Sequence, residues 1–439
     1  MSRDAPAHAA LRKASLLQLV FLTYSVMCSG AYGLEEMVSS TGPGLALVVL
    51  AVLPFVWAAP ISLACAELAA RHPVEGGYYR WARLAFGDFV GYQAAWLAWL
   101  TMFSTNAAFA VLFANYLRHF APELTPGAHF AVAVALVWIT ALLNCRGIRL
   151  VGTASVVLTL LIFLPFFFMT LLGLLRWQFN PFLPFVHPEK SPAAAVGDCL
   201  FVALWLYGGF EKMTVSAGEV EDPRRAFPIA LAFAVPLTAA SYVLPTFAAL
   251  AANGDWSAWR EAYYSTAAAT IGGPWLGAAM AAGGLASNTC LLMVTMLGQS
   301  RLPMVLADDG LFPQVFKRTH PRFGTPVAAL LLGAVALTTL CGLRFAQLAG
   351  VYALVQALSY MLIYATLFKL RAKEAGGQGF RIPLRTRGLV LMVAPAVLLA
   401  AALVLRGLWH GGAFDREQAL IDLAIFASGP LTHWLFRRR

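Results

Sequence analysis

Runs of apolar residues long enough to cross a bilayer alternate with short polar stretches along nearly the whole 439-residue chain. They predict twelve membrane-spanning helices, at 15–39, 43–70, 86–117, 128–145, 150–175, 194–218, 226–251, 274–300, 325–342, 346–368, 388–405 and 418–435. Two of these are interrupted. The first carries Ser29-Gly30-Ala31-Tyr32-Gly33-Leu34-Glu35-Glu36 in its interior, and the sixth carries Trp205-Leu206-Tyr207-Gly208-Gly209-Phe210-Glu211-Lys212. The fold class expected is an all-α polytopic membrane protein forming one domain, 1–439, in which each half opens on a broken helix.

Glycine lets a backbone leave helical geometry. An unwound stretch in mid-membrane exposes amide and carbonyl groups, which are tolerated only against protein, a water-filled cavity or a polar ligand. Corresponding breaks in the two halves are the pattern of secondary transporters that bind their substrates at the breaks. The candidate substrate-binding residues are therefore Ser29, Gly30, Ala31, Tyr32 and Gly33 with Trp205, Tyr207, Gly208, Gly209 and Phe210. Close helix packing through small residues is the competing account of the glycines, and packing that of Trp205. A mid-span acid costs about 2.5 to 3.5 kcal/mol, which makes Glu35, Glu36, Glu211 and Lys212 candidates for ion coupling. Successive helical positions point about 100° apart, so at most one of Glu35 and Glu36 faces a central site; a span that ends early would instead leave both near the headgroups.

Composition narrows the class. At 60% hydrophobic and 12% charged, the chain has too little charged surface for soluble domains of this size. The net charge of +10 suggests a nucleic-acid partner until its distribution is seen. With both termini in the cytoplasm, 23 Lys and Arg fall on the inner side and 7 on the outer, leaving Lys212 within a span. The basicity sets topology. No cleavable leader is apparent before the first span. The six cysteines stand singly and read as structural, no close set suggests a metal, and no cofactor is implied. All eight histidines lie in loops or near span ends, and no nucleophile elbow, zinc-protease motif or phosphate loop occurs, so an enzyme is not expected.

Other polar positions extend the candidate site. Thr105 and Asn106 lie mid-span in the third helix, and Tyr352, Gln356 and Tyr360 share one face of the tenth. Ser287 and Asn288 in the eighth are possible linings of a cation site, with packing an equal alternative. Trp99 and Tyr116 read as packing or interface anchors. The seventh span shows only its prolines, and 253–273 reads as an outer cap of one or two helices.

Ala66-Glu67-Leu68-Ala69-Ala70-Arg71-His72-Pro73-Val74-Glu75-Gly76-Gly77-Tyr78-Tyr79 resembles the first intracellular loop of the amino acid-polyamine-organocation permeases. Two further stretches resemble that superfamily's cytoplasmic connections: Ala217-Gly218-Glu219-Val220-Glu221-Asp222-Pro223 before Arg224-Arg225, and 301–313 with Phe323-Gly324-Thr325-Pro326. The first break, with Gly42-Pro43 and 54–60, is most similar to the polyamine and L-type amino acid uptake permeases of plants and protists. The resemblance implies a LeuT-type five-plus-five inverted repeat, 15–175 and 194–368, with 388–435 as two additional helices, and alternating access. The 301–313 stretch then reads as a gate-bearing loop. Against the plant pattern, Thr105 replaces an acid; the fifth-span lysine of some amine-coupled relatives has no counterpart near 160–164, and Lys212 stands where relatives carry a small polar residue.

An amino acid carrier is therefore expected, its substrate's carboxylate meeting amides of the first break and its amine the carbonyls of the second. Proton coupling or exchange is expected over sodium coupling. The alternative is a polyamine or other organic-cation carrier that uses Glu35, Glu36 or Glu211 as counter-charge. The partners expected are a small-molecule substrate and membrane lipid, in a monomer or homodimer of a bacterial inner membrane.

Overall fold

Helix α1 (Leu16–Met27) stops where the small residues of the first break begin, and the chain resumes as α2 (Glu35–Thr41). The computed structural model describes residues 15–28, 30–74, 76–373, 378–410, 413–414 and 416–437. Proline at a first helical turn forfeits no hydrogen bond, and it opens α3 (Pro43–Leu53). Pro54 then widens the same helix into a π-helical turn, Pro54–Ala58, before it continues as α4 (Ala59–Arg71).

A short helix, α5 (Tyr78–Phe86), precedes the long α6 (Asp88–Leu117), α7 (Pro126–Cys145) and α8 (Ile148–Leu175). Thr125 caps α7 through the amide of Ala128, and Ser191 caps α9 (Pro192–Leu206) through that of Ala194. After the second break, a 3-10 segment, Lys212–Glu219, leads to α10 (Pro223–Ala252). The cap expected over 253–273 contains a 3-10 turn, Trp256–Ala258, and α11 (Tyr264–Gly272). The rest is α12 (Pro274–Asp308), α13 (Val327–Leu340), α14 (Phe345–Lys373), α15 (Thr386–Leu408) and α16 (Arg416–Arg437), with a two-residue antiparallel pairing of β1 (Trp409–His410) and β2 (Ala413–Phe414) before α16.

Among the described residues, eight helices are long and apolar enough to cross a membrane, and three shorter apolar helices accompany them. The chain is a helical polytopic membrane protein. Helices α6 and α12 are buried over most of their length, whereas α8 and α15 bury less than a third of theirs. α12 packs on α6 and α8, α14 on α6 and α9, and α10 on α1, so long helices flank the segments that lead into both breaks.

Candidate functional site

Both breaks depend on glycines in conformations that side chains avoid. Gly33 (φ 91°) closes the first and Gly209 (φ 105°) turns the second. A Cβ on Gly33 would stand 3.0 Å from the Trp205 ring, so the first break is shaped against the second. The freed backbone groups find side-chain partners. Glu35 Oε2 accepts from the Gly33 amide at 2.7 Å, and its Oε1 accepts from the Tyr116 hydroxyl. The Tyr360 hydroxyl accepts from the Gly209 amide at 2.9 Å. At the other ends, the Tyr242 hydroxyl lies 3.1 Å from both Met27 O and Leu206 O, the last carbonyls of α1 and α9. This one O–H of α10 lies within reach of both severed helix ends and can donate to either carbonyl.

Between the breaks lies a cavity of about 30 Å³. Of the sequence-predicted residues, Gly30, Tyr32, Thr105, Trp205, Gly208, Lys212, Ser287, Asn288 and Tyr352 line it. Trp205 Nε1 donates to Thr105 Oγ1 at 3.1 Å, and the indole packs edge-on against Phe345. Tyr32 donates to Met280 O at 2.9 Å and meets the Tyr116 ring at right angles. Lys212 Nζ sits 5.3 Å from the Tyr352 ring centroid and makes no ion pair among the described residues. Among the described residues it is the one basic side chain lining this cavity, and no carboxylate does so.

The remaining predicted residues stand elsewhere. Ser29 lies outside the described residues. Ala31, Gly33, Tyr207, Gly209 and Phe210 are buried or structural parts of the breaks, with the Tyr207 hydroxyl tied to Leu50 O at 2.7 Å. Asn106 faces α12, where it accepts from the Thr295 hydroxyl. Glu35 is fully buried and Glu36 exposed, so neither carboxylate lines the central cavity. Glu211 Oε1 accepts from Gln356 Nε2 at 3.1 Å, and its Oε2 has no hydrogen-bond partner among the described residues.

The two faces of the protein differ. On the basic face, Asp309 accepts from the Tyr79 hydroxyl at 2.5 Å and pairs with Arg83 at 2.8 Å and Arg80 at 3.1 Å, which closes α5 onto the end of α12. Glu67 pairs there with Arg371 and takes the Ile382 amide at 2.9 Å. The opposite face holds a cavity of about 520 Å³, lined by Glu36, Asn115, Arg118, His119, Arg260 and Glu261 among others. Burial, and then the nearby Glu36, push the Glu261 carboxyl up to about 7, while Arg118 and a hydrogen bond from Asn115 pull it down.

Sequence reasoning passed over Tyr242 and read Tyr116 as a packing or interface anchor. Their hydroxyls are recognisable only through the backbone carbonyl or carboxylate each one reaches.

The sequence profile of the family described as amino acid permease matches residues 15–413. The chain is 31% identical over 98% of its length to a probable polyamine transporter of Arabidopsis thaliana, covering 86% of that protein. It is 31% identical over 95% of its length to the polyamine transporter RMV1 of the same plant, covering 84% of it. A third similar protein is the polyamine transporter PUT1 of Oryza sativa subsp. japonica, 31% identical over 97% of this chain and 78% of its own. With its broken helices held around a central cavity, this chain belongs to the amino acid permease family of the amino acid-polyamine-organocation superfamily, and is a multi-pass secondary transporter.

Proposed function

We propose that the protein carries amino acids across the membrane by alternating access. The observation that carries this reading is the charge of the central cavity: an unpaired lysine and no carboxylate among its lining residues. A substrate carboxylate placed there meets the Lys212 ammonium and the amides of the first break, while its α-amine meets aromatic faces and the carbonyls around Trp205. A polyamine would meet a like charge. In this reading both termini are cytoplasmic, the basic face points inward, twelve spans form a LeuT-type pair of five-helix repeats with two further helices, and the membrane is a bacterial inner membrane.

Glu211 and Lys212 are the proposed coupling pair, with Glu211 exchanging a proton as the substrate loads. Ser287 and Asn288 complete the wall of the substrate cavity. The second reading, a polyamine carrier, is favoured by what the similar plant proteins are named for. Glu36 and Glu261 would then draw the cation into the outer cavity.

Thermal stabilisation of the purified protein by the common amino acids and by putrescine and spermidine separates the two. Amino acids are expected to raise the midpoint of the native protein, and the shift is expected to vanish in Lys212→Met. Stabilisation by polyamines alone, strengthened in Lys212→Met, would replace the first reading with the second.

A further inference from the structure

The acid of the second break faces away from the substrate cavity. Glu211 is 4% exposed, and its Oε2 has no partner among the described residues; the Tyr78 hydroxyl, on a residue also 4% exposed, has none either. Both residues line a small cavity enclosed by α5, α6 and α14, walled by Ala94 and Ala98 and floored by Ser359. Its volume, about 10 Å³, admits one water. The Ser359 hydroxyl donates to Val355 O at 3.1 Å and keeps its lone pairs for a further donor. A buried carboxyl oxygen and a buried phenol, both unpaired beside a space of one water, leave a large desolvation cost unless a third group joins them. Water fits all three roles: it accepts from Tyr78 and donates to Glu211 and Ser359.

We infer that this cavity seats a single water through which Glu211 exchanges its proton with the cytoplasmic solution, an inference that rests on the proton-coupled reading of the carrier. On release, the bond between Oε2 and its proton breaks, the water takes that proton and passes one of its own toward the solution beyond α5. A carboxylate and an unchanged water remain. The titratable neighbours of Glu211 are Lys212 on its own segment, Tyr78 on α5, Cys65 on α4, and Tyr352 and Tyr360 on α14. Lys212 is the one cation in that set, and it stands on the substrate side. Tyr79, next to Tyr78, donates to Asp309, which ties the helix over this cavity to the end of α12.

The test uses the full-length protein in lipid nanodiscs and infrared difference spectroscopy. The Glu211 carboxylic acid band is identified by its loss in Glu211→Gln, and its exchange is timed after transfer to heavy water. Exchange in Tyr78→Phe, and independently in Ala98→Leu, which fills the space, is expected to slow by about tenfold or more. Thermal midpoints within a few degrees of native show that the variants are folded. Equal exchange in all three proteins would overturn the proposal, as would a native spectrum from which Glu211→Gln removes no carboxylic acid band. Coupling is measured separately, by a pH dye trapped in proteoliposomes given each amino acid and putrescine. If no probe moves protons, the coupled reading fails and the water site is judged by the exchange rates alone.

Discussion

The two helix breaks look alike in sequence, each a pair of glycines followed by an acid, yet their acids do opposite things. Glu35 spends both carboxyl oxygens on its surroundings: one holds the Gly33 amide within its own break and the other the Tyr116 hydroxyl of α6. Glu211 takes one hydrogen bond from Gln356 and leaves an oxygen unpaired beside a water-sized space. The first acid is a clasp for the unwound backbone. The second keeps a free acceptor site beside that space. The difference lies in what the facing helices bring: α6 and the break's own backbone offer two donors to Glu35, whereas α14 offers one to Glu211. What separates two mid-membrane acids is therefore how far their hydrogen-bonding capacity is met, not their presence in a span.

The sharpest way to break this contrast is to remove the clasp. Glu35→Ala orphans two buried donors and is expected to destabilise the protein by about 3 kcal/mol, read as a lowered thermal midpoint with loss of uptake. Glu35→Gln keeps an acceptor for Gly33 and presents a donor to the Tyr116 oxygen, so it is expected to retain most of that stability and the pH dependence of transport. If Glu35→Gln falls as far as Glu35→Ala, or loses its pH dependence, the charge of Glu35 matters as much as that of Glu211 and the contrast collapses.

Much of this arrangement was legible before any coordinates. The apolar runs place the helices because a membrane admits few alternatives, and the glycine-rich stretches mark both breaks because an unwound backbone needs them. The mismatches came where a polar group's direction decides its role. Thr105 and Asn106 are neighbours in one span, but about 100° of helical rotation sends Thr105 to Trp205 and Asn106 to Thr295. Glu35 and Glu36 divide in the same way between a buried clasp and the outer cavity. Tyr242 was invisible because its meaning lies in Met27 O and Leu206 O, which folding alone brings to it. The outer cavity joins α2, the end of α6 and the 253–273 loop, a juxtaposition without periodicity to betray it.

A smaller effect is expected at the closed face. Asp309 gathers the buried Tyr79 and the partly exposed Arg80 and Arg83, whose ion pairing is screened by solvent. Asp309→Asn removes the charge and is expected to shift the gate toward the open state by about 1 kcal/mol, roughly a fivefold change in population. Amide hydrogen exchange of α5 reads that shift directly, and faster exchange at 78–86 is the expected result. Because α5 also roofs the space below Glu211, proton exchange at Glu211 should quicken in the same variant while Glu35 is untouched. Unchanged protection of α5 would mean that the clamp contributes nothing to closure, and that the second break is shielded by packing alone.

The smallest effect expected is the titration of a third acid, which tests whether the outer cavity belongs with the clasp or with the proton-exchanging group. Glu261 is raised from 4.5 to about 7, first by burial and then by Glu36. The folded protein therefore binds this proton more tightly than the unfolded chain does, and the resulting stability is fully present below pH 4.5 and lost as pH rises through 7. The thermal midpoint of the native protein should fall modestly across that window. Glu261→Gln, which stays neutral and can keep a hydrogen bond to Asn115, should hold its midpoint where the native protein loses it. Glu36→Gln removes the repulsion and should move the native slope to lower pH, whereas loss of Arg118, which opposes the rise, should move it higher. A slope that ignores Glu36 and Arg118 but vanishes in Glu261→Gln would trace the titration to burial alone. Glu261 would then be an isolated buried acid with no electrostatic tie to the neighbour of Glu35, and the outer cavity would have no charge-borne link to the first break.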